Sequence, residues 1–464
     1  MDNQDKEKQL AEEDAVEQEN GTADEHMLVE STKDKEEHHH SHHHSHHSHH
    51  DRHHHRHHRH RKHTKKRSRK NFKKFWIKNK KVLIPIAICF MVLIVLSAIV
   101  LAVDLIVGAG SKQGQNPIQG ADGTVILSAT VFQGEVSVSN SAVKLLVEDE
   151  DVSKPTHVLL KDYDLTESRL DVCQPVQISF NVVNQPAEYE VEKYIVTVEQ
   201  TDHAEAAWEF SLPENQTQID IFNLKTDTEY RYTVNVHFTN GAVSAIGGIF
   251  RTEAGPRILT VGGLRNVRDI GGWKTADGRK IQQGILYRGT EMDGQNDKFN
   301  LTEEGKEVLL NILRVKTDLD LRWSKEVPKA MEPLGENVRY IRIGMPQYTD
   351  VFLEENKENV RAVFSELANP SNYPMYLHCI YGRDRTGTIC GLLMGVLGVS
   401  EEDIYREYRL TGLHTSHLDS AFSGFMGQLK QWEGQTLQQK TENYLLSIGV
   451  TAEEIASIQK IFLE

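Results

Sequence analysis

The sequence predicts a multi-domain chain with a disordered N-terminal tail, one transmembrane helix, an all-β sandwich and a C-terminal α/β domain. Three observations carry this reading. Twenty-two residues, 82 to 103, pass without a charge. From 124 to 254, short runs alternate apolar and polar residues between turn signals. From 255 to 464, strand and helix patterns alternate around one cysteine loop, Cys379-Ile380-Tyr381-Gly382-Arg383-Asp384-Arg385-Thr386-Gly387. At 464 residues the chain exceeds one ordinary domain and suits two folded units plus tails.

The net charge of −14 is unevenly spread. Residues 1 to 37 hold 14 acidic and 4 basic side chains, with few aromatic or branched apolar ones, which predicts disorder. Residues 38 to 63 contain 17 histidines in runs broken by serine, arginine and lysine. Such a tract can chelate zinc, nickel or copper loosely, but no ligand spacing recurs as in a cage. Residues 51 to 81 hold 15 basic side chains and 1 acidic one, completing a tail over 1–81. The apolar run 82–103 is long enough to cross about 30 Å of hydrocarbon. Trp76 and the lysines before it suit a membrane interface, and Lys112 is the only basic residue in the thirty after the run. The expectation is a single-pass cell-membrane protein with a cytoplasmic N-terminus and an extracytoplasmic catalytic domain. The remaining chain is acidic, which excludes nucleic acid as a partner. Cys89, Cys173, Cys379 and Cys390 make no disulfide framework.

A Gly-, Gln- and Asn-rich linker fills 104–123. In the region 124–254, Val176–Val182, Tyr194–Val198, Ile219–Phe222 and Tyr232–Val236 read as sandwich strands. The stretch from 124 to about 165 reads as further strands of the same sandwich or as a stalk. Leu224-Lys225-Thr226-Asp227-Thr228-Glu229-Tyr230 resembles the Leu-x-Pro-Gly-Thr-x-Tyr corner of fibronectin type III domains, departing from it at Thr226-Asp227. The resemblance implies that the Tyr230 hydroxyl closes the corner and that Trp208 packs in the core. No catalytic constellation lies here, so the region serves as a spacer or a ligand-binding module.

The cysteine loop follows the apparent strand end Tyr376-Leu377-His378 and precedes the apolar helix-like run 388–397. A helix N-terminus offers unpaired N–H groups and a dipole that favours an anion. Successive loop N–H groups, from Ile380 through Gly387, can wrap a phosphate if Gly382 supplies the backbone angles. Arg385 can grip two phosphate oxygens through its fixed fork. Those dipoles and Arg385 converge on Cys379 and favour the thiolate. Thiolate attack on phosphorus then gives a phosphocysteine that water hydrolyses, with the Thr386 hydroxyl donating to the departing sulfur. The competing reading is a buried structural cysteine beside a charged turn. The neighbouring His378, Gly382 and Thr386-Gly387 favour the phosphate loop.

This stretch matches the signature of cysteine-dependent tyrosine and dual-specificity phosphatases. It looks most like a bacterial tyrosine phosphatase family whose loop reads Gly-Lys-Asp-Arg-Thr-Gly, with Arg383 here replacing the lysine. Asn266-Val267-Arg268-Asp269-Ile270-Gly271-Gly272, Tyr287-Arg288-Gly289 and Thr317-Asp318-Leu319-Asp320-Leu321-Arg322 resemble further elements of that family. The resemblance implies an α/β cysteine-phosphatase domain with no cofactor and no metal. Its substrate-binding residues would be Ile380, Tyr381, Gly382, Arg383 and Gly387.

Dephosphorylation also needs an acid for the leaving oxygen. Asp384, inside the loop, is favoured, followed by Asp320 at a strand end and then Asp350. Arg268, Asp269 and Arg322 read as structural pairs, and Cys390 as core. The leading function is a membrane-anchored hydrolase of phosphotyrosine on proteins. A second reading is a phosphoinositide or inositol-phosphate phosphatase, because Arg383 and Arg385 suit an anionic phospholipid head group. A third is a surface binding protein with a vestigial phosphatase domain, against which the intact Cys379, Arg385 and Thr386 argue. A sulfurtransferase loop would lack the Arg-Thr-Gly ending.

Overall fold

The computed structural model describes residues 126–164, 169–202, 208–294, 298–327, 333–415 and 419–463. The tail 1–81 with its histidine tract, the apolar run 82–103 and the linker 104–123 lie outside the described residues.

Alternation of apolar and polar residues builds the sandwich. Strands β1 (Ile126–Ala129), β2 (Glu135–Val136), β3 (Val176–Asn184), β4 (Val191–Gln200), β5 (Trp208–Pro213), β6 (Gln218–Ile221), β7 (Glu229–Phe238) and β8 (Val243–Thr252) form two sheets. Their orders are β1-β3-β6 and β2-β8-β7-β4-β5. Along β7, every second residue from Tyr230 to Phe238 is buried, and these side chains share one core with Val176, Ile178 and Phe180 of β3. The Tyr230 hydroxyl accepts the Lys225 N–H at 2.8 Å, and the Trp208 ring packs 5.9 Å away, so the expected corner is closed. Asp227 stands at φ 49° where the corner motif has glycine. Aspartate is one of the few side chains that tolerate this left-handed backbone.

Strands β1 and β2 are the further sandwich strands expected from 124 onward, and between β2 and β3 the chain leaves the sandwich. It makes α1 (Ser141–Glu148), capped by the Asn140 side chain, and the short α2 (Thr156–Leu159). Ala142, Val143, Leu146 and Leu160 are buried in the core of the C-terminal domain.

That domain has a five-stranded sheet of β9 (Arg268–Asp269), β10 (Leu286–Gly289), β11 (Thr317–Asp320), β12 (Arg339–Arg342) and β13 (Met375–His378). The order is β12-β11-β13-β10-β9, parallel except for β9 against β10. All four residues of the central β13 are buried, as a strand covered on both faces requires. The helices are α3 (Glu303–Glu307), α4 (Lys357–Leu367), α5 (Asp384–Val396), α6 (Glu401–Arg409), α7 (Asp419–Leu429), α8 (Leu437–Ser447) and α9 (Ala452–Phe462). Thr302 caps α3, and a Thr451–Glu454 capping box opens α9. Helix α5 is buried on all sides from Thr386 to Val396. Its glycines at every fourth position admit Tyr408 at Gly387, Phe425 at Gly391 and Thr441 at Gly395.

The expected fold class needs one correction. Among the described residues no helix is long and apolar enough to cross a membrane. The longest, α5, has 13 residues, or about 20 Å at the helical rise, against about 30 Å of hydrocarbon. The architecture described is a β-sandwich, an inserted helical segment and an α/β domain.

The corner gives a test of the sandwich. Tyr230→Phe removes the acceptor of a backbone N–H and should lower the unfolding free energy by about 1–3 kcal/mol. Urea unfolding should show an earlier midpoint with an unchanged slope. An unchanged midpoint would mean that the bond stabilises nothing.

Candidate active site

Strand β13 ends at His378, which places Cys379 on the carboxyl edge of the sheet, where open α/β sheets bind ligands. The chain turns through residues 379–383 and enters α5 at Asp384. Three consecutive carbonyls of this turn, those of Ile380, Tyr381 and Gly382, are tied by residues distant in sequence. Ile380 O accepts from Glu291 N at 2.9 Å. Tyr381 O and Gly382 O accept from Asn266 Nδ2 at 3.1 and 3.2 Å. Gly382 O also accepts from Arg288 Nη2 at 2.5 Å. In a trans peptide the N–H points opposite to the C=O. Tying these carbonyls outward therefore turns the N–H groups of Tyr381, Gly382 and Arg383 toward the inside of the loop. The first-turn N–H groups of α5 add to them. Gly382 sits at φ +63°, and a Cβ there would lie 2.3 Å from Gly289 O.

The tying residues are themselves held from below. Glu407 of α6 receives Arg268 Nε at 2.6 Å and Arg288 Nη1 at 2.7 Å. Burial alone would raise the Glu407 carboxyl, but the two guanidiniums hold it below the ordinary range. Burial, with Arg288 alongside, pushes Arg268 down to about 10.

Cys379 is buried at the floor of the loop, 4% exposed. Arg385 presents its end to Glu326, with Nη1 at 2.8 Å and Nη2 at 2.9 Å from the two carboxylate oxygens. A guanidinium has five N–H donors. This end-on pair leaves the Nε side of the fork for a second oxyanion. Burial would lower the Arg385 pKa, and Glu326 more than offsets that. Glu326 is fixed in turn by the Trp323 N–H at 2.6 Å. The Thr386 hydroxyl oxygen is buried with no hydrogen-bond partner among the described residues. Ile380 and Tyr381 form the partly exposed outer turn, and Gly387 packs under the Tyr408 ring. Cys390 is core: it is fully buried, and burial pushes its thiol up to about 12.

The three aspartates separate. Asp384 opens α5, and its carboxylate accepts from Arg383 Nε at 2.9 and 3.0 Å and from the Tyr348 hydroxyl. Asp320, the second expectation, lies deeper than Asp384. It is fully buried and accepts from Arg322 Nε and Nη2 at 2.9 and 2.8 Å and from the Tyr340 hydroxyl at 2.8 Å. Those partners engage both of its oxygens. Asp350 is exposed on a short helical turn (Tyr348–Phe352). Arg322 also binds Glu291 and Asp293, at 2.7 Å each, and Arg257 binds Asp269 at 2.9 Å. His378 lies 3.0 Å from Asp318 and 4.0 Å from Asp320. Burial opposes its charge, but the two carboxylates outweigh burial and raise its pKa to about 9.

Arg383, expected to reach substrate, is 9% exposed, paired with Asp384 and set 5.4 Å over the Tyr381 ring. Sequence reasoning missed Glu326, Glu407 and Tyr348. Tyr348 combines a left-handed backbone, φ 51°, with a buried hydroxyl 2.7 Å from that of Tyr408. Asn266 and Arg288 stood in quoted motifs without a role.

Residues 259–464 match the model of the tyrosine phosphatase family. A tyrosine-protein phosphatase of Nostoc commune is 28% identical over 136 residues, covering 25% of this chain and 46% of that protein. A Dictyostelium discoideum protein named "Probable tyrosine-protein phosphatase" is 31% identical over 74 residues, covering 16% of this chain and 45% of that protein. The chain thus spans about half the length of these relatives. The core catalytic domain of a PP-IP phosphatase from S. cerevisiae aligns at 20% identity and a TM-score of 0.23, over 35% of this chain and 84% of that one.

Two tests follow from the geometry. Gly382→Ala should abolish binding of orthovanadate, read as loss of the vanadate-induced rise in Tm, because its Cβ meets Gly289 O. Retained binding would show that the loop tolerates another path. His378 gives a pH signature. Its pKa rises on folding from 6.5 to about 9, so its stabilisation is complete below about pH 6.5 and is lost as pH rises through about 9. Urea unfolding between pH 6 and 10 should show this decline, and His378→Gln should remove that part of it.

Proposed function

With residues 259–464 matching the tyrosine phosphatase family, we propose that the protein hydrolyses phosphotyrosine on proteins through a phosphocysteine intermediate. The observation that carries the reading is the outward tying of three loop carbonyls around Cys379, which leaves a ring of N–H donors shaped for a phosphoryl group. In this mechanism the Cys379 sulfur attacks phosphorus and the ester P–O bond breaks. Asp384, in its acid form, gives its proton to the leaving phenolate oxygen. The loop N–H groups and the Nε side of Arg385 bind the equatorial oxygens, where charge is stabilised in the transition state. Water then attacks phosphorus, Asp384 takes its proton, and the P–S bond breaks. The unpartnered Thr386 hydroxyl donates to the departing sulfur.

The rim supports an aromatic ester. Tyr381 stands partly exposed on the outer turn with Phe299 edge-on at 5.8 Å and the Lys298 ammonium 4.4 Å over its ring, which offers a substrate an aromatic edge beside a cation. Arg383, which together with Arg385 would suit a polyanionic head group, is paired with Asp384.

Cys379→Ser should lower kcat on a phosphotyrosine peptide by on the order of a thousandfold or more, with the Tm close to the parent. Activity within tenfold of the parent would remove the phosphocysteine mechanism. Arg385→Lys should lower kcat by about 10²–10³. A panel comparing phosphotyrosine peptides with phosphoinositides decides the substrate class. Higher kcat/KM on the lipids would overturn the protein-substrate reading.

A further inference from the structure

We propose that Asp171, which lies outside the family-matching segment, is a positioning residue for the loop around Cys379. The segment between β2 and β3 that carries it would then be a working part of the catalytic domain. The inference rests on reading that loop as a phosphoryl cradle.

Asp171 is 3% exposed and faces the C-terminal domain. Its Oδ2 accepts the Asn266 N–H at 2.8 Å, and both its oxygens accept from Arg265 Nε at 3.0 and 2.9 Å. Asn266 is held in a left-handed backbone, φ 57°, and it is the residue whose side-chain amide ties the carbonyls of Tyr381 and Gly382. A buried N–H in that conformation needs an acceptor. Asp171 supplies one, and so fixes the direction from which the Asn266 side chain reaches the loop.

Asp171 is itself held rigidly. The Asn140 amide donates to the carbonyls on both sides of it, Leu170 O at 2.7 Å and Val172 O at 3.2 Å. Asn140 also caps α1, whose Ala142, Val143 and Leu146 are buried in the catalytic core. Arg409 of α6 donates to Leu146 O at 3.1 Å and Asp151 O at 3.2 Å. The same helix carries Glu407, which holds Arg288 and Arg268 beneath the loop. One inserted segment therefore braces both supports of the cradle, Asn266 through Asp171 and α6 through Arg409.

The test uses the full chain with Asp171→Ala and reads kcat on a phosphotyrosine peptide beside orthovanadate affinity from the Tm shift. Loss of the Asn266 acceptor should lower kcat by about tenfold or more and weaken vanadate in the same proportion, with KM moving little. A folded Asp171→Ala protein with kcat and vanadate affinity within about twofold of the parent overturns the proposal, even if its Tm falls, because Asp171 is then structural only. If Asp171→Ala does not fold, Asp171→Asn decides: a fall of about threefold or more in both quantities supports positioning, and parent-like values overturn it. A parent that binds vanadate but hydrolyses no phosphoester sinks the proposed function alone, and the vanadate comparison still decides on Asp171.

Discussion

The direction of three carbonyls sets what this site can do. A backbone turn has no intrinsic reason to aim its N–H groups at one point, because each peptide would rather satisfy both ends locally. Here the carbonyls of Ile380, Tyr381 and Gly382 are held by Glu291 N, Asn266 and Arg288, and peptide planarity does the rest. Gly382 is the one position where a side chain would end this arrangement by collision with Gly289 O. The buried charges exist to hold the holders. Arg268 and Arg288 share a single carboxylate, Glu407, so the cluster beneath the loop keeps a surplus positive charge. Buried ions without such partners would cost several kcal/mol each. With them, the surplus favours an anion in the cradle above.

Local chemistry was legible in the sequence, and long-range support was not. Cys379, Arg385, Thr386 and Gly382 could be assigned tasks because strand end, turn and helix start lie within ten residues of one another. The Tyr230 corner was readable for the same reason. The partners of Asp320 were not legible, because a strand-end carboxylate looks the same in sequence whether it faces a ligand or an arginine such as Arg322. Glu326 is 59 residues from Arg385, and Glu407 is 139 from Arg268. No periodicity links such partners. The segment around α1 was opaque because an eight-residue amphipathic helix carries no mark of which core its apolar face joins.

Adjacent domains usually meet through polar interfaces, and this junction is polar with its central ion pair buried. Arg257, 4% exposed, donates to Asn223 O at 2.7 Å and Leu224 O at 3.2 Å in the sandwich, and to Asp269 at 2.9 Å. Asn223 and Thr260 exchange two further bonds, and so do Thr226 and Gln283. Strand β9 has only two residues, and successive side chains on a strand point to opposite faces. Arg268 turns to Glu407 under the loop, while Asp269 turns to Arg257 and the sandwich. The pair couples the two sides through one peptide unit. Strand β9 is thus tied on one side to the Glu407 cluster beneath the loop and on the other, through Arg257, to the sandwich.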